Sequence, residues 1–389
     1  MLGPRATPAG TGGGTGPRPD LGGYLRPGGL PHPADEAAAA VDAVLAEHLE
    51  TRLREARRLD TVFAEEVASR VAAFVLNGGK RLRTAFVRCG WLAAGGTGDP
   101  GTTLRIGAAL ELLQACALVH DDVMDESPVR RGAPAVHADF ADMHRTSRMR
   151  GSAASYSATA AVLAGDLALA WADDLFTETA LASPYGEQLH QEWQAMRGEM
   201  VAGQYLDMRA QATGSSDLGL ARNIATLKSA LYTVERPLAL GAALAGADAR
   251  VVDGLRSAGR CAGLAFQLRD DLLGAFGDPA VTGKSSEEDL RARKLTCLLA
   301  IALRLAAGSG DSEALAVLGP EGGGGGAVDR MRAALERTGA RAVVEEEIAE
   351  LSASSLRHFA AAGADAGARQ EFAALLARAV GTTRDGEGA

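Results

Sequence analysis

The chain has 389 residues, 47% of them hydrophobic but only 4% aromatic, and carries a formal net charge of -9. This length allows two average domains or one large helical unit; abundant Ala, Leu, Glu and Arg, with few alternating β-branched or aromatic runs, favour one all-α domain. The acidic balance excludes a general nucleic-acid binder, which needs a net basic face, while no uninterrupted apolar run of about eighteen residues and no cleavable leader pattern is found, so a soluble, cytoplasmic protein is expected.

Residues 1–34 hold ten of the 48 glycines and seven of the 14 prolines, a density that cannot bury enough apolar surface to offset chain entropy. A disordered tail is expected there. It reads as a solvated extension, or as a docking tag for a protein partner such as an encapsulating shell, because Leu21, Tyr24, Leu25 and Leu30 stand as isolated anchors. The folded domain should cover 35–380, with a flexible end at 381–389.

Val62, Phe63, Val67, Val71, Phe74 and Val75 recur at helical spacing, and Asn77-Gly78-Gly79 has the chemistry of a helix stop. A second stripe, Leu104, Leu110, Leu112, Leu113, Ala117 and Val119, runs into His120-Asp121-Asp122. Further helices are predicted over 155–182, 186–210, 219–244, 250–276 and 290–307, with a glycine-rich surface loop from Gly319 to Gly326. Cys89, Cys116, Cys261 and Cys297 are widely spaced in apolar contexts, which predicts buried thiols rather than disulfides or a zinc site.

Two acidic helix ends carry the chemistry. Asp121 and Asp125 lie one turn apart and share a face, with Asp122 at its flank. Like charges at this spacing weaken an isolated helix by a few tenths of a kcal/mol, and hard divalent cations compensate such pairs. Asp270 and Asp271 end a later apolar helix, and Gln267 precedes Asp270 on the same face. Two such ends, each followed by basic residues, point to a bound divalent cation rather than to solvated surface.

With these motifs in order, the chain resembles the trans-polyprenyl diphosphate synthase family over about residues 70–300. The landmarks are Gly79-Lys80-Arg81-Leu82-Arg83, Asp121 to Asp125 with Arg130-Arg131-Gly132, Gly165-Asp166, Gly203-Gln204, Lys228-Ser229, Gln267 to Asp271 and Gly283-Lys284. The resemblance implies a single helical bundle around a central cavity, the isoprenoid synthase type I fold, acting as a homodimer. It implies a magnesium-dependent prenyltransferase that joins isopentenyl diphosphate to an allylic diphosphate, with three Mg2+ per active site when substrate is bound. Asp121, Asp122, Asp125 and Asp270 would hold metal, and Asp271, Gln267 and Lys228 would complete the catalytic set. Lys80, Arg83, Arg131 and Gln114 would hold isopentenyl diphosphate; Arg130, Lys228, Lys284 and Lys294 would hold the allylic diphosphate, with Ser229 in place of a common threonine.

Gly274 replaces the third aspartate common in the second motif, and Glu287, Glu288 and Asp289 read as a solvated loop. His120, His137 and Asp139 read as structural, and Asp166 as a hydrogen-bonding residue inside the bundle. Cys116 and Ala117, with Leu112 and Leu113 one turn below, are expected to set product length; small side chains at 116 and 117 predict geranylgeranyl diphosphate, with the twenty-five-carbon homologue next. The competing readings are a class I terpene cyclase and a non-catalytic or regulatory subunit. The cyclase lacks its Asn/Asp, Ser/Thr, Glu motif, since only Asn77 and Asn223 are present; the subunit would have lost acidic or basic motif residues.

Overall fold

The computed structural model describes residues 34–97, 100–277, 287–319 and 326–381. Residues 1–33 of the expected tail, the glycines of the loop at 320–325, Gly283-Lys284 and the final residues 382–389 lie outside the described residues, whereas Ala34 already opens the first helix. Among the described residues the regular structure is helical apart from one hairpin of two-residue strands.

The helices are α1 (Ala34–Leu59), α2 (Thr61–Phe63), α3 (Ser69–Leu76), α4 (Leu82–Ala93), α5 (Pro100–Met124) and α6 (Val136–Thr146). They continue with α7 (Ala153–Leu181), α8 (Gly186–Thr213), α9 (Leu218–Ile224), α10 (Arg236–Leu244) and α11 (Ala249–Phe276). Last come α12 (Glu288–Arg291), α13 (Cys297–Ser309), α14 (Ser312–Leu318), α15 (Ala327–Arg337), α16 (Ala340–Ala361) and α17 (Ala366–Ala379). Helix starts follow capping chemistry: Ser152, Asp217, Asp248, Thr296, Asp311 and Asp365 each accept a backbone N–H in the first turn.

Helix α5 is central and packs against α1, α3, α4, α6, α7 and α10. Leu110, Leu112 and Leu113 are fully sealed, whereas Gln114, Ala117, Leu118 and Asp121 remain half-buried. Those four share one face at helical spacing, which is less covered than the leucine face. A second core, built on α11, α13 and α16, meets the first through α4 and α10. All four cysteines are free thiols, three buried and Cys261 half-buried, as expected; burial pushes the Cys116 thiol up to about 12.

Two expected helices differ. The stretch 219–244 is α9 and α10 joined by a π-helical segment, Ala225–Glu235. Pro237 supplies the reason, since its ring clashes with the carbonyl four residues back and it has no N–H to donate. The helix expected from 290 starts at Cys297 instead. Arg293 adopts a left-handed φ of 50° and donates to the carbonyl of Val317, so the chain breaks there and restarts on the Thr296 cap.

Candidate active site

Four elements meet at the C-terminal end of α5. Asp125 N–H still closes on the Asp121 carbonyl at 2.8 Å, which keeps the two carboxylates one turn apart. The chain then turns back as the hairpin β1 (Val129–Arg130) and β2 (Ala133–Pro134), with Arg130 paired to Ala133. Arg131 (φ 54°) and Gly132 (φ 74°) are both left-handed, as a two-residue hairpin turn of this twist demands. The turn sends the two arginines to different partners.

Arg130 Nε donates to Asp122 Oδ1 at 2.8 Å, and its Nη2 makes a second, shorter bond to the same oxygen. Asp122 is fully buried; burial raises its carboxyl despite Arg130, and its Oδ2 has no partner. It is thus turned inward to hold Arg130. Arg131 goes the other way, donating to the Phe74 carbonyl at 3.4 Å and lying against Gly79, where a Cβ would stand 3.2 Å from its Nη2.

Lys228 Nζ donates to Asp121 Oδ1 at 3.0 Å and to Asp207 Oδ2 at 2.7 Å. Lys294 Nζ donates to Asp125 Oδ2 at 2.8 Å and lies 3.4 Å from Asp207. Gln204 also donates to Asp121, at 3.2 Å. Burial alone would raise the Asp121 carboxyl, but Lys228 and Lys294 hold it down at about 2. Burial opposes the charge on Lys294, yet Asp207, Asp121 and Asp125 raise it above its usual range. Asp207 is buried and sits between both lysines. Sequence reasoning missed it, although it follows Gln204 by three positions on one helix face.

The π-helical stretch positions Lys228, Ser229 and Tyr232. Gly203 is required beneath it, because a side chain there would collide with the Lys228 backbone nitrogen. Arg83 lies 4.2 Å above the Tyr232 ring centroid and donates to Thr233 at 3.1 Å. Tyr232 OH, Arg83 Nε and Gln114 Oε1 are all sealed from solvent without a partner. Tyr232 was also missed; its signal was its place one turn after Lys228. Lys80 is exposed on the loop before α4, Ser229 is half-buried, and Lys284 lies outside the described residues.

The second acidic end divides its work. Burial raises the Asp271 carboxyl to about 7, with Asp270 and Asp289 adding to the rise. Its oxygens accept from Gln267 Nε2 at 2.8 Å and from the Cys297 backbone N–H at 3.0 Å, so it anchors the start of α13. Asp270 stays half-buried at the helix end. The expected loop at Glu287–Asp289 instead enters α12, and Asp289 Oδ2 lies 2.9 Å from where a Cβ at Gly274 would be. The missing third side chain thus leaves room for Asp289.

Asp166 is not inside the bundle: its side chain is 61% exposed, 3.8 Å from His120, because its apolar neighbours Val162 and Leu163 themselves face outward. His120 contacts the Val162 carbonyl at 3.1 Å, and Asp139 pairs with Arg70 at 2.5 Å. Both are structural, as read. The His137 Nδ1 is buried without a partner.

The polyprenyl synthetase family model matches residues 65–334, which spans every element from α3 to α14 and most of α15. The chain belongs to the polyprenyl synthetase family. It is 31% identical over 247 residues to a geranylfarnesyl diphosphate synthase of Aeropyrum pernix, covering 63% of this chain and 71% of that protein. It is 36% identical over 221 residues to a (2E,6E)-farnesyl diphosphate synthase of Mycobacterium bovis, covering 57% of this chain but only 55% of the relative's length. A geranylgeranyl pyrophosphate synthase structure from Corynebacterium glutamicum, complexed with isoprenyl diphosphate and magnesium, superposes with a TM-score of 0.85 at 35% identity, over 90% of this chain and 99% of that one.

Magnesium is the metal the family resemblance implies, and the donor set fits it. Asp121 and Asp125 offer oxygen ligands only. Carboxylate oxygens one turn apart suit an ion that takes one or two carboxylates and completes its shell with water and phosphate oxygens.

Proposed function

We propose that this family member joins isopentenyl diphosphate head-to-tail to dimethylallyl, geranyl or farnesyl diphosphate, with geranylgeranyl diphosphate as the main product. The observation that carries the reading is the convergence of Asp121 and Asp125 with Lys228, Lys294 and Arg130 in one cleft. A pole for metal is ringed by cations for a diphosphate. Retention of both sets also favours an enzyme over a non-catalytic subunit.

Bound magnesium, three ions per site with Asp121, Asp125 and Asp270 as the protein ligands, would supply charge against the leaving diphosphate. Lys228, Lys294 and Arg130 hold that diphosphate as its carbon–oxygen bond breaks, and they act from fixed positions that need no reorganisation. Lys80, Arg83 and Arg131 hold isopentenyl diphosphate, whose double bond attacks the allylic cation; a proton then passes to the departing diphosphate. The Ala- and Leu-rich walls of α5 and α7 keep water from quenching the cation.

The relatives are named for different chain lengths, so this chain's own wall sets the product. Ala117 lies on the Asp121 face, while Cys116 faces α7 through His120, 3.7 Å away. Both are small, and Leu112 and Leu113 sit one turn, about 5.4 Å, below. The test is an assay with and without Mg2+ for each allylic starter, followed by product sizing. Magnesium-dependent formation of the twenty-carbon product supports the reading, and no turnover, or chiefly products of thirty carbons and above, overturns it.

Helix α7 supports a homodimer: most of its apolar stretch is not buried, and Val162 and Leu163 are exposed along it. We place the protein in the cytoplasm, with no role for nucleic acid or membrane insertion. Residues 1–34 are proposed to dock a protein partner such as a shell; deletion that leaves all association unchanged removes that idea.

A further inference from the structure

Arg81 is the basic residue of the loop before α4 that the diphosphate reading leaves without a task. It is 5% exposed, and its φ of 48° places a non-glycine residue in the left-handed region. Such strain persists only where the surroundings over-determine it, and here three elements do. Arg81 Nε donates to Asp42 on α1 at 2.8 Å, Nη2 to the Val75 carbonyl of α3 at 2.9 Å, and Nη1 to Glu111 Oε2 on α5 at 2.9 Å.

Glu111 is equally deep, with 3% of its side chain exposed. One oxygen is locked by Arg81; the other, Oε1, is sealed from water and has no partner. A carboxylate oxygen left unpaired in a dry site is costly unless another positive or hydrogen-bonding group stands near. The groups that gather there belong to one subsite. A Cβ at Gly79 would lie 3.2 Å from Arg131 Nη2 and 3.9 Å from Arg81 Nη1, so the two guanidiniums meet at that glycine. Glu111 is the leading attractive charge on Arg131. Arg83, stacked on Tyr232, is a further positive charge acting on Arg131, and both Arg83 and Tyr232 carry a sealed unpartnered atom.

We infer that Glu111 is a positioning residue for the isopentenyl diphosphate subsite: clamped by Arg81, its carboxylate holds Arg131 beside Gly79, where Arg131, Arg83 and Lys80 face one diphosphate. Arginines that share an anion repel one another before it arrives, and a fixed buried carboxylate between them offsets that repulsion. The magnesium and allylic groups, Asp121, Asp125, Lys228 and Lys294, make no contact with this pair. The inference rests on the function proposed above for which substrate enters.

The test compares wild type, Glu111→Gln, Arg131→Gln and the double variant. Glu111→Gln is expected to raise the KM for isopentenyl diphosphate about tenfold while the allylic KM and kcat stay within about twofold, as for a group that acts on one substrate's binding. The double variant should be no worse than Arg131→Gln. An unchanged isopentenyl KM, an equal rise in both KM values, or additive effects would overturn the role. If Glu111→Gln does not fold, Glu111→Asp keeps the charge but withdraws it; the same selective rise is expected, and its absence is fatal. Calorimetric Kd values for isopentenyl diphosphate alone repeat the comparison without turnover. An inactive wild type whose Kd still depends on Glu111 overturns the proposed reaction and keeps the positioning role, whereas an active wild type with a Kd indifferent to Glu111 does the reverse.

Discussion

At the residue scale, Asp121 shows how a carboxylate can be both buried and ionised. Its folded pKa of about 2 lies below the ordinary 3.8 because Lys228 and Lys294 outweigh burial. A depressed carboxyl contributes stability that is present above the unfolded value and lost as pH falls through the folded one. Between pH 4 and pH 2 the metal-free protein should therefore lose about 2 kcal/mol more than Asp121→Asn does. Chemical denaturation at stepped pH checks this, and parallel curves would contradict it. Asp121→Asn should also cut kcat by on the order of a hundredfold or more, since it removes a fixed charge from the reacting centre. Cys116, proposed above to set product length, gives a third expectation. Cys116→Phe should shorten the main product, and an unchanged size distribution would place the pocket elsewhere.

Among the elements, the π-helical stretch Ala225–Glu235 matters most, because it carries Lys228, Ser229 and Tyr232. Inserted π geometry widens a helix and re-aims side chains, and it recurs at functional sites. Its seat on α8 depends on Gly203, whose missing side chain lets the Lys228 backbone approach. Gly203→Ala should cost about 1–3 kcal/mol through overpacking and lower kcat by moving Lys228. A melting temperature and kcat both equal to wild type would refute that seating. The hairpin at Arg130 and Arg131 works by the same kind of backbone decision: left-handed φ at 131 and 132 sends two adjacent cations to separate partners, Asp122 and the Phe74 carbonyl.

For the whole molecule, α7 combines high hydropathy with a largely uncovered surface. Large exposed apolar patches mark interaction sites, and a second copy is the partner proposed. Leu163, 57% exposed at the middle of that face, is the place to test it. Leu163→Glu should convert a dimer to a monomer in sedimentation velocity at micromolar concentration, and a variant that still sediments as a dimer would rule out this face.

The helical architecture and the two acidic ends were legible in the sequence, because apolar spacing and like-charged pairs are local patterns read within one or two turns. Lys228, Lys294 and Arg130 were legible as residue types matching a family pattern, and the structure brings them to Asp121, Asp122 and Asp125. Asp207, Glu111 and Tyr232 were not, since their importance lies in contacts across 21 to 30 positions or more along the chain. A carboxylate on a helix reads as surface until the fold buries it between lysines. The exposure of Asp166 and the inward turn of Asp122 likewise followed from how α7 and the hairpin pack. The first acidic motif was fixed by local spacing; its division into Asp121 and Asp125, paired with lysines, and an inward Asp122 held on Arg130 was decided only by tertiary contacts, because burial and charge pairing depend on which helices meet.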